Sequence, residues 1–241
     1  MRLLAVLALA VVCAGQTLKI PPVKTTLVVE GQPVELTIWG TVSAAPAGAF
    51  HLAATVDLGG FQEHLTPVLA AQLNRSDRCG ERLSVERAVL APAAPAGLLT
   101  AYVHYERFGC AKAFGKEVVK RLVGGNGVVA VDLTPSVAEN RIALAAQVRK
   151  IDADGSLGEV LRSGSFGDSI REKIATSIES AIGKSADLKS TLPAGMDKAA
   201  SIHAVQFTDG GAGRLWLTID AEVHLSAEQF QTLGKQLAGP R

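Results

Sequence analysis

Five histidines, two cysteines in the body of the chain and a few acidic and glycine clusters are the residues whose chemistry is weighed first. A zinc site draws on His, Cys or carboxylate ligands, usually with two of them a few positions apart. His51, His64, His104, His203 and His224 show no such pairing, and no HExxH is present. His51, His104 and His224 fall on the polar side of alternating stretches, which reads as surface. No metal site and no cofactor is expected. Gly125-Asn126-Gly127-Val128-Val129-Ala130 matches GxGxxA. A dinucleotide fingerprint follows a strand and opens a helix. This one follows a helical pattern and opens a strand, so it reads as a turn. Asp152-Ala153-Asp154-Gly155 begins like a calcium loop but lacks the closing acidic ligand, and it too reads as a turn. Ser163-Gly164-Ser165 is not in the order of a nucleophile elbow. With no nucleophile–base pair and no ligand set, the residues make no case for an enzyme.

The chain begins MRLLAVLALAVVCAGQT. One cationic residue, Arg2, precedes an apolar run from Leu3 to Val12, and small residues follow at Ala14 and Gly15. This is the layout of a secretory signal over 1–15, too short to span a bilayer, which takes about 20 apolar residues. Residues 16–241 are then expected as one exported domain, periplasmic or extracellular. A second reading makes Cys13 the lipid-bearing residue of an anchored protein. Cys79 and Cys110 survive cleavage. Two cysteines in an exported chain most simply form one disulfide, the other reading being two buried thiols. Lys and Arg number 24 against 23 Asp and Glu, and aromatics are 5%. A balanced, aromatic-poor chain gives no case for binding nucleic acid.

The elements that must position any site come from periodicity. Val34–Val42 alternates with period two and pairs with Thr25–Glu30; Phe50–Leu58 alternates again. Phe61, Leu65, Val68, Leu69 and Leu73 share one face of a helix from Gly60 to Asn74, with Thr66-Pro67 as a kink or restart. Leu83–Ala91 and Leu98–Phe108 read as a hairpin through APAAPAG. Cys79 and Cys110 flank it, so the bridge would close its open end. Lys112–Val123 reads as a short helix, with Phe114, Val118 and Leu122 on one side and Lys112, Lys116 and Lys120 on the other. That basic stripe suits an anionic membrane surface or an ordinary solvated face. Val128–Leu133 and Arg141–Ile151 read as a second hairpin. Phe166, Ile170, Ile174, Ile178 and Ile182 recur every four residues and predict a long helix over Ser165–Ile182. Ser201–Phe207 and Leu215–Leu225 are strands, and Ser226 begins a last helix. VDLGGFQEHLTPVLAAQL and VHLSAEQFQTLGKQL echo one another as strand end and helix, a possible internal hairpin–helix repeat. Successive hairpins favour antiparallel pairing. The expected fold class is α+β: a curved antiparallel sheet packed on amphipathic helices, one of them long.

The stretch LRSGSFGDSIREKIATSIESAI, the Leu192-Pro193 step and the hairpin SIHAVQFTDGGAGRLWLTIDAEVHL resemble the tubular lipid-binding superfamily, which includes proteins like the bactericidal/permeability-increasing protein. The resemblance covers roughly Phe50 to Leu237. It implies a sheet wrapped around a long helix, with lipid held in an apolar groove. On that reading Phe166, Ile170, Ile174, Ile178, Leu65 and Leu69 face a lipid or other hydrophobic small molecule. The alternative is a structural or protein-interaction module of the cell envelope with a solid core. The sequence names no ligand and no oligomeric state.

Overall fold

Aliphatic residues alternate with polar ones along most of the chain, and in the computed structural model that alternation becomes sheet. The structure describes residues 17–46, 49–113, 116–138, 140–161 and 200–224, together with Asp168 and Glu172. In chain order the elements are β1 (Thr17–Val29), β2 (Gln32–Ala44), β3 (Phe50–Asp57), α1 (Gly59–Leu73), β4 (Arg75–Ser76), β5 (Gly80–Ala93), β6 (Ala96–Ala113), β7 (Lys116–Ala138), β8 (Arg141–Ala153), α2 (Gly155–Leu161), β9 (Ala200–Asp209) and β10 (Leu215–Val223). They form two antiparallel sheets, ordered β1-β2-β3-β10-β9 and β4-β5-β6-β7-β8. One of them curls into a half-barrel.

The first sheet sorts its residues by face. Pairing aligns Leu18, Val42, Leu52, Ala221 and Ile202 in one cross-strand row, and Val23, Ile38, Val56, Leu217 and Phe207 in another. Paired residues share a face and the next row faces the other way. The opposite face therefore carries Lys19, Thr41, Ala53, Asp220 and, one row on, Ser43, His51 and Glu222. β1 is an edge strand, and its pairing is interrupted between Ile20 and Val23, where Pro21 and Pro22 sit.

The two sheets and α1 share a core in which Leu65, Leu69 and Leu73 of α1 meet Val85 and Leu90 of β5, Leu99 of β6, Val129 of β7, Phe207 of β9 and Leu215 of β10. Burying side chains of this size stabilises by about 1.5–3 kcal/mol each. The other flank of α1 sends Val68 into a second cluster with Val29 and Val34. Gly60 allows α1 to approach β2: a Cβ there would stand 2.1 Å from the Glu35 carbonyl oxygen. Pro67 lies inside one continuous helix, Gly59–Leu73, rather than restarting it. The Thr66 hydroxyl accepts the Ala88 N–H at 2.9 Å and ties the helix to β5.

The α+β expectation is overturned. The described residues are mostly strand, in two antiparallel sheets, and the only helices with described bounds are α1 and α2. Lys112–Val123 is not a helix. It is the end of β6 and the start of β7, paired from Ala113↔Lys116 to Cys110↔Val119 and beyond. The Gly125–Ala130 stretch is not a turn either, but lies within β7. Gly125 is needed there because a Cβ would stand 2.5 Å from the Asp154 carbonyl oxygen, under the start of α2. The β7–β8 connection is correspondingly tighter than the span from Leu133 to Arg141 that separates the two expected strands, with Ala138 already paired to Arg141. The physical reason is that a step of four places residues on one face of a strand as well as of a helix. The stripes at Phe114, Val118, Leu122 and at the lysines satisfy both, and Val118, Val119 and Val123 favour the strand. The long helix expected over Ser165–Ile182, the last helix after Ser226 and the signal at 1–15 lie outside the described residues, save that Asp168 and Glu172 are helical.

Candidate functional site

Of the six residues expected to line an apolar groove, Phe166, Ile170, Ile174 and Ile178 lie outside the described residues. Leu65 and Leu69 are both 3% exposed and pack into the core shared by the two sheets. Their surface is taken up by the chain itself.

An apolar surface exists elsewhere. The inner face of the first sheet is aliphatic across all five strands, and its core end is closed by Leu217, Phe207 and Leu215. Toward the β1 edge cover thins, even in the row that Leu217 and Phe207 close. Leu18 is 46% exposed and Val23 49% exposed, although both stand in aliphatic rows. Ile20, Val42, Leu52 and Ile202 are half-buried. Large aliphatic residues that point to the inner face yet keep contact with solvent are the signature of surface that the core does not reach.

Cys79 and Cys110 form a disulfide with their Cα atoms 5.6 Å apart. Cys79 immediately precedes β5, whose first residue Gly80 pairs with Phe108 of β6, so the bridge closes the open end of that hairpin. A bridge of this kind fits an oxidising compartment. Beyond it, the β6–β7 hairpin runs on with Lys112 and Lys120 exposed, beside the exposed Val118 and Leu122. Glu117 lies against the bridge and pairs with Arg78 at 3.6 Å. Cys79, Cys110 and Glu117 bring three ligand-type atoms together. The two sulfurs are bonded to each other and offer no thiolate, so this is no metal site.

The histidines meet carboxylates, an amide and a carbonyl. His104 contacts Asn126 at 2.7 Å and His64 contacts the Gly60 carbonyl at 2.9 Å. The other three gather on the solvent face of the first sheet. His51 of β3 meets Asp220 of β10 at 2.9 Å. His203 of β9 and His224, just past β10, stand 3.8 Å and 3.2 Å from the two oxygens of Glu222. Farther along the same face Trp39 and Trp216 meet edge to face, their centroids 5.0 Å apart. Sequence reasoning placed His51 and His224 on a polar side but did not bring them together, because β3 and β10 are neighbours only in the fold.

Tyr105, buried in the second sheet, has its hydroxyl pushed up to about 12, first by burial and then by the Glu81 carboxylate. That shift keeps it neutral at any ordinary pH, as suits a core residue. Among the described residues no hydroxyl or thiol meets an imidazole. No described helix is long and apolar enough to cross a membrane.

No family model and no curated protein sequence matches the chain. Among solved structures it is similar to a lipopolysaccharide-binding protein, with a TM-score of 0.40 and 9% identity over 74% of this chain. The match spans 34% of that protein's length. A likeness of this degree defines no family for the chain.

Proposed function

We propose that the chain is a non-catalytic protein of the cell envelope that takes a lipid or other hydrophobic ligand against the inner face of the β1-β2-β3-β10-β9 sheet. The carrying observation is that the aliphatic rows of this face extend past the core, leaving Leu18 and Val23 about half exposed. Exposed aliphatic surface continuous with a core gains by burial against an acyl chain, at about 25 cal/mol per Å² of apolar area. The disulfide and the N-terminal pattern support export. The ligand surface differs from the groove that the sequence suggested in that Leu65 and Leu69 take no part in it.

A fluorescent fatty-acyl probe tests the reading. The wild-type chain should take up the probe. Leu18→Asp combined with Val23→Asp should weaken uptake at least about tenfold, because a carboxylate is poorly accommodated against an acyl chain. The melting temperature should change little, since both positions already touch water. A wild-type protein that takes up no probe, or a double variant that binds as well, would overturn the proposal and favour a protein-interaction module with a filled core.

A further inference from the structure

In the second sheet, pairing with β5 stops at Phe108 of β6 and pairing with β8 stops at Gly127 of β7. Gly109–Lys120 is therefore a two-stranded ribbon, its strands paired only with each other among the described residues. Such a ribbon is marginal in water by itself. The Cys79–Cys110 bridge ties its base to the chain just ahead of β5.

Register sorts the faces of the ribbon. Gly109, Ala111, Val118 and Lys120 share one of them. Phe108 pairs with Arg121 and Arg107 with Val123, so Leu122 is the extra residue of a bulge, a device that re-aims a side chain. It leans over Gly109, where a Cβ would stand 3.1 Å from Leu122 Cδ1, and so joins the same face. Val118 is 51% exposed and Leu122 57% exposed, and neither belongs to a core cluster. Lys120 stands between them and is exposed too. The one ribbon carboxylate, Glu117, pairs across from Lys112 on the other face and turns to Arg78. At the base Glu106 faces Arg121. Charge is concentrated here as well. From Phe108 to Arg121 the sequence holds Lys112, Lys116, Lys120 and Arg121 against Glu117, a net of +3. The whole chain nets +1, so the remainder nets −2.

We propose that this ribbon docks the protein on an anionic phospholipid membrane. Lys120 meets headgroup phosphates while its stem lies along the apolar boundary, and Val118 and Leu122 enter that boundary on either side of it. A bilayer offers anionic groups directly above an apolar layer, which is the pairing of chemistries that this face presents. A second copy of the ribbon would instead set like charges against each other.

Sedimentation of the full chain with vesicles tests this. The wild type should sediment with mixed phosphatidylglycerol–phosphatidylcholine vesicles and bind pure phosphatidylcholine at least about tenfold more weakly. Lys120→Glu should weaken binding to the anionic vesicles at least about tenfold. Lys150→Glu, the same charge change in β8, should bind like the wild type. Val118→Ser combined with Leu122→Ser should also weaken binding several-fold at unchanged charge. Circular dichroism should show all the variants folded, because the altered side chains are exposed. In the unaltered protein, amide exchange across Gly109–Lys120 should slow when anionic vesicles are added. A wild type that does not sediment, or binding that Lys150→Glu weakens as much as Lys120→Glu, would overturn the proposal. Binding that survives the double serine variant would overturn it too, and the ribbon would then read as a cationic surface for an acidic protein. Acyl-probe uptake reads Leu18 and Val23 in the other sheet, so the two proposals fail independently.

Discussion

Gln62 shows how one side chain holds three segments. Its amide oxygen accepts the Leu215 N–H at 3.0 Å, and its nitrogen donates to the carbonyls of Leu90 at 2.7 Å and Gly213 at 2.9 Å. Leu215 is fully buried, so its N–H has no recourse to water if the partner goes. Gln62→Ala should cost about 1–3 kcal/mol, the penalty of an orphaned buried group, and chemical denaturation should show it. A loss below the error of the midpoint would mean that solvent reaches the site. None of this was legible beforehand. Gln62 is an ordinary polar residue in the helix pattern, and its partners come 28 to 153 positions later. The histidine–carboxylate cluster escaped for the same reason, since its members come from three strands. The cysteine pair was legible because it relates the two ends of a single hairpin.

Among the elements, α1 and the β6–β7 hairpin mark what a pattern can decide. Phe61, Leu65, Val68, Leu69 and Leu73 include a step of three, which only a helix places on one face. The expected helix from Gly60 to Asn74 accordingly matches Gly59–Leu73 closely. The Lys112–Val123 stripe contains only steps of four and could not discriminate. The strand prevails there because β6 pairs with it from Lys116 to Arg121 and again at Val123. The Cys79–Cys110 bridge spans 31 positions. On the chain-entropy account it stabilises by about 3–4 kcal/mol. Reduction should therefore lower the melting temperature by on the order of 10 °C, measured by circular dichroism with and without reductant. An unchanged melt would show that the hairpin supplies the constraint unaided.

The β1–β2, β5–β6, β7–β8 and β9–β10 hairpins could be read from the chain, because in each the second strand follows the first at once, whereas the β6–β7 hairpin was hidden behind a pattern that reads as a helix. The division into two sheets could not. It depends on β10 returning to pair with β3, a contact that no local signal announces. That closure leaves β1 as a border of 13 residues among the described strands. Such a border invites a second copy of the chain to dock on it and begin a growing stack. Pro21 and Pro22 stand in its middle, where they supply no amide hydrogen and break the ladder in two. On the other sheet, the border strand β8 carries Arg149, Lys150 and Asp152, and the charges serve the same end. The two prolines contribute little to the core, and their effect falls on the β1 border instead. Pro21→Thr with Pro22→Val should preserve the fold yet raise light scattering and thioflavin fluorescence on standing at high concentration. If the double variant stays as disperse as the parent, the border is guarded by something other than its prolines.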